Sequence, residues 1–129
     1  PCPTKLDWRI IFRNPSQPLV VDIGSGNGLF SLRMAQIYEH LNFLGLEINS
    51  KLVVHSLACA QELRLMNVHF VSTNATTSFH SIISSYPGAL YLVSIQCPNP
   101  DFVDPEHRWR MVQRSLVEAI IELICKEGK

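Results

Sequence analysis

Charge is scarce in this chain and evenly balanced. Eleven Lys and Arg stand against eleven Asp and Glu, together 17% of the residues. No overall field therefore draws the protein to a polyanion or to a membrane surface, and such a partner would need a local patch. Long hydrophobic runs are also missing: none approaches the roughly twenty residues of a membrane-spanning helix. The four cysteines, Cys2, Cys59, Cys97 and Cys125, are scattered without a CxxC pair, which argues against a zinc cluster and gives no sign of a disulfide framework. No metal is expected. His40, His55, His69 and His80 lack ligand spacing and read as surface or satisfied residues. The scattered cysteines make an intracellular, reduced protein the expectation; the start, PCPTKLDWRI, reads as neither a signal peptide nor an Arg/Ser-rich transit peptide, and cytoplasm and plastid both fit.

What is present is apolar. At 47% hydrophobic over 129 residues, the chain can bury one core and is short for two, so residues 1–129 are expected to form a single domain. After a proline-rich entry, Leu19 to Ile23 is a short continuous apolar run, the pattern of a strand covered on both faces. Helical spacing follows from Leu29 to Tyr38, through Leu29, Leu32, Met34 or Ala35, and Ile37 or Tyr38. Asn42 to Ile48 predicts a second buried strand. Asn49 or Ser50 can cap a helix from about Lys51 to Met66 with a stripe of Leu52, Val53, Leu57, Ala60 and Leu63. A third strand is expected at Val68 to Val71 and one short helix within Ser72 to Ser85, stopped at Tyr86-Pro87-Gly88. Ala89 to Ile95 reads as the fourth strand, and a last helix is expected from about Arg108 to Lys126, with Trp109, Val112, Leu116, Ile120 and Ile124 on one face. Strict β-α alternation implies a doubly wound parallel α/β sheet, Rossmann-like in class, with ligands at the carboxyl ends of its strands.

The stretch VDIGSGNGLF, Val21 to Phe30, lies at the first of those ends. Glycines just after a buried strand let the backbone turn sharply and approach a ligand, while the next helix offers free N–H groups. A dinucleotide fingerprint requires GxGxxG, but Leu29 occupies the third glycine's place, and Asp22 would repel a pyrophosphate. Asp22 suits a cation. S-adenosylmethionine carries an amino group and a sulfonium, and the pattern Asp22-x-Gly24-x-Gly26-x-Gly28 resembles that of its binding proteins. Glu47 ends the second strand, where a carboxylate can accept both ribose hydroxyls. Asn74 and Ala75 follow the third strand, where an amide and a small residue can flank an adenine edge, although Asn74 equally fits a turn.

A second constellation follows the fourth strand, at Gln96-Cys97-Pro98-Asn99-Pro100-Asp101-Phe102. Asn99 to Phe102 has the spacing of the (D/N)PP(Y/F) motif of amino-group methyltransferases, with Asp101 at the second proline. His107, Arg108 and Arg110, with Arg114 one turn on, put positive charge at a helix start. The helix dipole disfavours cations there, so the functional reading is contact with phosphate, and the alternative is a solvated charged face.

Taken together, VDIGSGNGLF, FLGLEI, STNA and CPNPDFVDPEHRWR resemble the tRNA (guanine-N7-)-methyltransferase family, especially its eukaryotic and plant-like members, from about Asp7 to the end. The resemblance implies a class I S-adenosylmethionine-dependent fold, S-adenosyl-L-methionine as cofactor, and tRNA as partner, with a helper subunit conceivable. It implies that Asp22, Gly24, Gly26, Glu47, Ile48, Asn74, Ala75 and Gln96 surround the cofactor. It places Asn99 at the family's active-site aspartate, Val103 where a lysine is frequent, and Asp101, His107, Arg108 and Arg110 against substrate. Such folds normally have seven strands, so the chain is expected to be the amino-terminal, cofactor-binding half. Three other readings stand beside this one: an exocyclic amino methyltransferase of nucleic acid, a non-catalytic S-adenosylmethionine-binding module, and a NAD-dependent oxidoreductase, which Leu29 and Asp22 disfavour.

Overall fold

Buried strands of the expected kind form the centre of the molecule. The structure is a computed structural model and describes residues 6–95. β1 (Leu19–Ile23), β2 (Asn42–Glu47), β3 (Val68–Ser72) and β4 (Leu90–Ile95) make one sheet in the order β3-β2-β1-β4, each neighbouring pair parallel. Every residue of β1 is buried, as befits an inner strand with helices over both faces. Alternation divides its side chains. Leu19, Val21 and Ile23 join Leu44, Leu46 and Val71 under α1 (Trp8–Ile11) and α4 (Ala75–Ser84), whereas Val20 joins Phe43, Val68 and Phe70 under α2 (Leu29–Ile37) and α3 (Ser50–Glu62). Chain order jumps at the centre, from β3 at one edge to β4 beside β1, so the doubly wound topology places its switch point between β1 and β4.

Three local departures from the sequence reading have physical causes. The first is α1, four residues for which the sequence reading named no element. So short a helix is not stable by itself. Asp7 caps it by accepting from the Arg9 N–H at 3.1 Å, and Trp8 and Phe12 anchor it. Trp8 meets Tyr86 edge-on at 5.1 Å between ring centroids, and its indole N–H donates to the Ser85 hydroxyl at 2.9 Å. The second is the end of α3, which stops at Glu62 rather than Met66. Arg64 adopts a left-handed conformation (φ 56°), and the Leu65 N–H turns back to the Ala60 carbonyl at 3.0 Å. This is a Schellman-type ending built without glycine, at a backbone cost of about 1 kcal/mol. The third is α2, where Leu29, Ile37 and Tyr38 are exposed and the buried positions are Ser31, Leu32 and Ala35.

A hydrogen-bonded knot closes the amino end of the sheet. Asn42, fully buried, donates to the Tyr86 hydroxyl at 2.7 Å and to the Asn14 carbonyl at 2.8 Å, and accepts from Gln17 at 3.0 Å. Tyr86 in turn donates to the Gln17 carbonyl. Burial pushes the Tyr86 phenol above its ordinary value, against the opposing effect of the Asn42 hydrogen bond.

His69 of β3 pairs in register with Leu44 and is half-buried. Burial disfavours its charged form and lowers its pKa below the ordinary 6.5. The unfolded chain therefore takes up a proton that the folded chain resists, and stability is full above 6.5 and falls as pH drops below it. Urea unfolding at about pH 7.5 and about pH 5.5 should show this loss, and His69→Gln should flatten it.

Candidate functional site at the carboxyl rim of the sheet

The carboxyl ends of β1, β2 and β3 are tied into one rim by backbone hydrogen bonds. The Gly24 and Ser25 N–H groups both donate to the Leu46 carbonyl, at 2.7 and 3.1 Å, and the Thr73 N–H donates to the Glu47 carbonyl at 3.0 Å. The turn after β1 thus rests on the end of β2, and the turn after β3 rests on it from the other side. Gly24, Gly26 and Gly28 have positive φ of 74°, 59° and 77°, a run that only glycine accommodates without strain. Gly28 begins α2 as its N-cap, and the Leu29 N–H is satisfied by the Asn27 side chain at 3.1 Å.

Glu47 is the hinge of this rim. One carboxylate oxygen accepts from the Gly26 N–H at 2.8 Å and the other from the Asn49 N–H at 3.0 Å. Asn49 then caps α3, its side chain accepting from Lys51 and Leu52. A carboxylate oxygen has two lone pairs, so each can still accept from a ligand hydroxyl. Beside it Ile48 is 71% exposed, a large apolar side chain at a rim otherwise built of polar groups. On the opposite flank of Gly26, a Cβ would meet nothing within 4 Å. That space is open for a ligand to approach the backbone.

Asp22, Gly24, Gly26, Glu47, Ile48, Asn74 and Ala75 are therefore gathered on and beneath one rim, although not in uniform roles. Asp22 has no exposed surface and lies under the turn. Asn74 is the N-cap of α4, its Oδ1 accepting from the Thr76 N–H at 3.0 Å and from the Thr76 hydroxyl at 2.6 Å. This engages its oxygen in helix capping and leaves its amide nitrogen as the group available to a ligand edge. Ala75 is buried in the cluster under α4. Gln96, Asn99, Asp101, His107, Arg108 and Arg110, along with the helix expected at Arg108 to Lys126, lie outside the described residues.

The sequence reading missed the support beneath the turn. Gly45 of β2 lies against Phe70, where a Cβ would come within 2.5 Å of the ring, and a Cβ at Gly28 would come within 2.5 Å of the Ser56 hydroxyl. A lone glycine inside a buried strand was the available signal. The hydroxyls of Ser25 and Ser56 are buried and make no hydrogen bond among the described residues, so the turn has unused polar capacity on its inner side. By contrast, a cleft of about 460 Å³ at the opposite end of the sheet, lined by Arg13, Gln17, Asn42, Asn67 and others, sits over the knot around Asn42. Its amides are occupied structurally, with Asn67 donating to three backbone carbonyls.

Known proteins match this chain across nearly its whole length. A tRNA (guanine-N(7)-)-methyltransferase of Trichormus variabilis is 40% identical over 124 residues, covering 95% of this chain and 58% of that protein. One from Synechococcus sp. (strain JA-3-3Ab) is 44% identical over 121 residues, 94% and 50% of the two chains. The chain spans between 49% and 59% of the length of the curated cyanobacterial relatives it matches. Among solved structures, phosphoethanolamine N-methyltransferase 2 of Haemonchus contortus overlaps 49% of this chain and 14% of that one, at 17% identity and a TM-score of 0.45. Residues 16–129 match the model of the family described as "Putative methyltransferase", and the chain belongs to that methyltransferase family.

Proposed function

We propose that this chain is the donor-binding half of an S-adenosylmethionine-dependent methyltransferase acting on guanine N7 in tRNA. The observation that carries the donor assignment is Glu47. It is a strand-end carboxylate already aligned by the glycine turn, with acceptor capacity to spare and an exposed apolar neighbour in Ile48. The guanine N7 and tRNA assignments are supported by the names of the cyanobacterial relatives.

The residues present fit the group. Glu47 would accept both ribose hydroxyls, Ile48 would cover one face of the adenine, and the Asn74 amide nitrogen and Ala75 would stand at its edge. Gly24 and Gly26 would admit the amino-acid end, Asp22 would offset positive charge from beneath, and Gln96 would also contact the cofactor. Bound there, S-adenosylmethionine supplies an electrophilic methyl carbon. Guanine N7 presents a lone pair and has no proton to lose, so the protein needs no strong base. Its contribution is alignment and exclusion of other geometries. Asn99 would hold the purine by its amide, with Asp101 beside it, and His107, Arg108 and Arg110 would grip phosphate. A tRNA substrate fits the cytoplasm or a plastid, and a helper subunit is compatible with this reading. No helix among the described residues is long and apolar enough to cross a membrane.

The test is position-specific. The full-length protein, incubated with unmodified tRNA and methyl-labelled S-adenosylmethionine, should yield 7-methylguanosine on nucleoside digestion and mass spectrometry. A methyl group on an exocyclic amine would favour the reading suggested by Asn99 to Phe102. Cofactor binding with no methyl transfer from the full-length protein would favour the non-catalytic module.

A further inference from the structure

On the outer side of α3, away from the rim, two side chains stand one helical turn apart. His55 is exposed and Cys59 is half-buried, packed against the cluster under α2 and α3. The Cys59 sulfur lies 3.6 Å from the His55 Nε2. Positions four apart on a helix share a face, so the backbone sets this proximity. Surveying histidines alone conceals it, because the partner is a cysteine.

The distance has a chemical meaning. A tetrahedral zinc ion binds thiolate sulfur at about 2.3 Å and imidazole nitrogen at about 2.0–2.1 Å, which holds the two donor atoms about 3.6 Å apart. The pair thus stands at the bite of a chelate. Beside it runs a groove of about 500 Å³ lined by His55, Ala58, Cys59, Gln61 and Glu62, with room for a hydrated ion. No three metal-ligating side chains are clustered among the described residues, so a cation here would be held by these two side chains alone, with water at its other positions.

We propose that His55 Nε2 and Cys59 Sγ bind a zinc-class divalent cation. A thiolate with an imidazole selects borderline-soft ions over Mg²⁺ and Ca²⁺, which prefer oxygen. On binding, the S–H bond breaks, the sulfur electron pair bonds to the cation, and the proton passes to solvent, with no change of oxidation state. The assignment stands independently of the proposed methyl transfer.

Cd²⁺ serves as the optical probe, because its bond to thiolate produces a charge-transfer absorbance. The reduced full-length protein with every cysteine other than Cys59 changed to Ser should develop that band on titration and lose it when Zn²⁺ displaces Cd²⁺, but not with Mg²⁺. Cys59→Ser in the same background should abolish the band. His55→Gln should weaken Cd²⁺ binding about tenfold or more. Circular dichroism of each variant confirms that it is folded, as substitutions on an outer helix face allow. No band in that background, an undiminished band in Cys59→Ser, or undiminished affinity in His55→Gln would each overturn the proposal.

Discussion

Replacing Glu47 with Ala should reduce the affinity for S-adenosylhomocysteine, measured by calorimetry, by about 100-fold or more. Two hydrogen bonds to a charged acceptor are worth about 1.5–3 kcal/mol each, and both are lost if the carboxylate holds a pair of ribose hydroxyls. The same substitution removes the acceptor for the Gly26 and Asn49 N–H groups, so a modest loss of stability is also expected. Glu47→Gln halves both effects. Its amide keeps one acceptor oxygen but sets an NH₂ against the N–H of either Gly26 or Asn49 as well as against one ribose hydroxyl. Stability and affinity should therefore both recover only in part. If Glu47→Ala binds the ligand within about threefold of the parent, the carboxylate is a structural brace for the turn, and the donor site must be sought elsewhere.

The bracing of the turn by Glu47 marks the limit of what the sequence made legible. β1 and β2 were readable because a continuous apolar run such as Leu19 to Ile23 has few other places to go in a small α/β domain. Glu47 was readable as a strand-end acid. Its two N–H partners were not, because they depend on how the turn after Gly24 lies against the end of β2, which is a fact of tertiary packing. Asn74 illustrates the same limit. Its position after β3 was evident, but the capping role that engages its oxygen follows from where α4 starts. The end of α3 was misread because Arg64 supplies a conformation that sequence logic expects from glycine or asparagine. The apolar stripe of α2 was right at Leu32 and Ala35, which are buried, and misread at its ends, where Leu29 and Ile37 face outward and Ser31 is buried. In each case periodicity identified the element and packing decided its phase or its end.

Three glycines allow conformational strain to be separated from crowding beneath the rim. At Gly26 a side chain meets a φ of 59° but no neighbour within 4 Å, so Gly26→Ala should lose about 1–2 kcal/mol from backbone strain. At Gly45 only contact opposes the added methyl, with the Phe70 ring 2.5 Å and the Ser25 Cβ 2.9 Å from it, and overpacking of this kind costs about 1–3 kcal/mol. Gly28 combines a φ of 77° with a Cβ 2.5 Å from the Ser56 hydroxyl and 2.9 Å from Phe70. Gly28→Ala should therefore lose about 3–5 kcal/mol, a large fraction of the stability of a small domain. Urea unfolding should rank Gly28→Ala well below Gly26→Ala, and Phe70→Leu should relieve part of the loss in Gly45→Ala by withdrawing the ring. Ligand binding should respond differently: Gly26→Ala projects its methyl into the open space of the rim and should weaken S-adenosylhomocysteine binding out of proportion to its small effect on folding. Equal unfolding midpoints for the Gly26 and Gly28 variants would show that the loop relaxes freely and that Ser56 and Phe70 do not hold it in place.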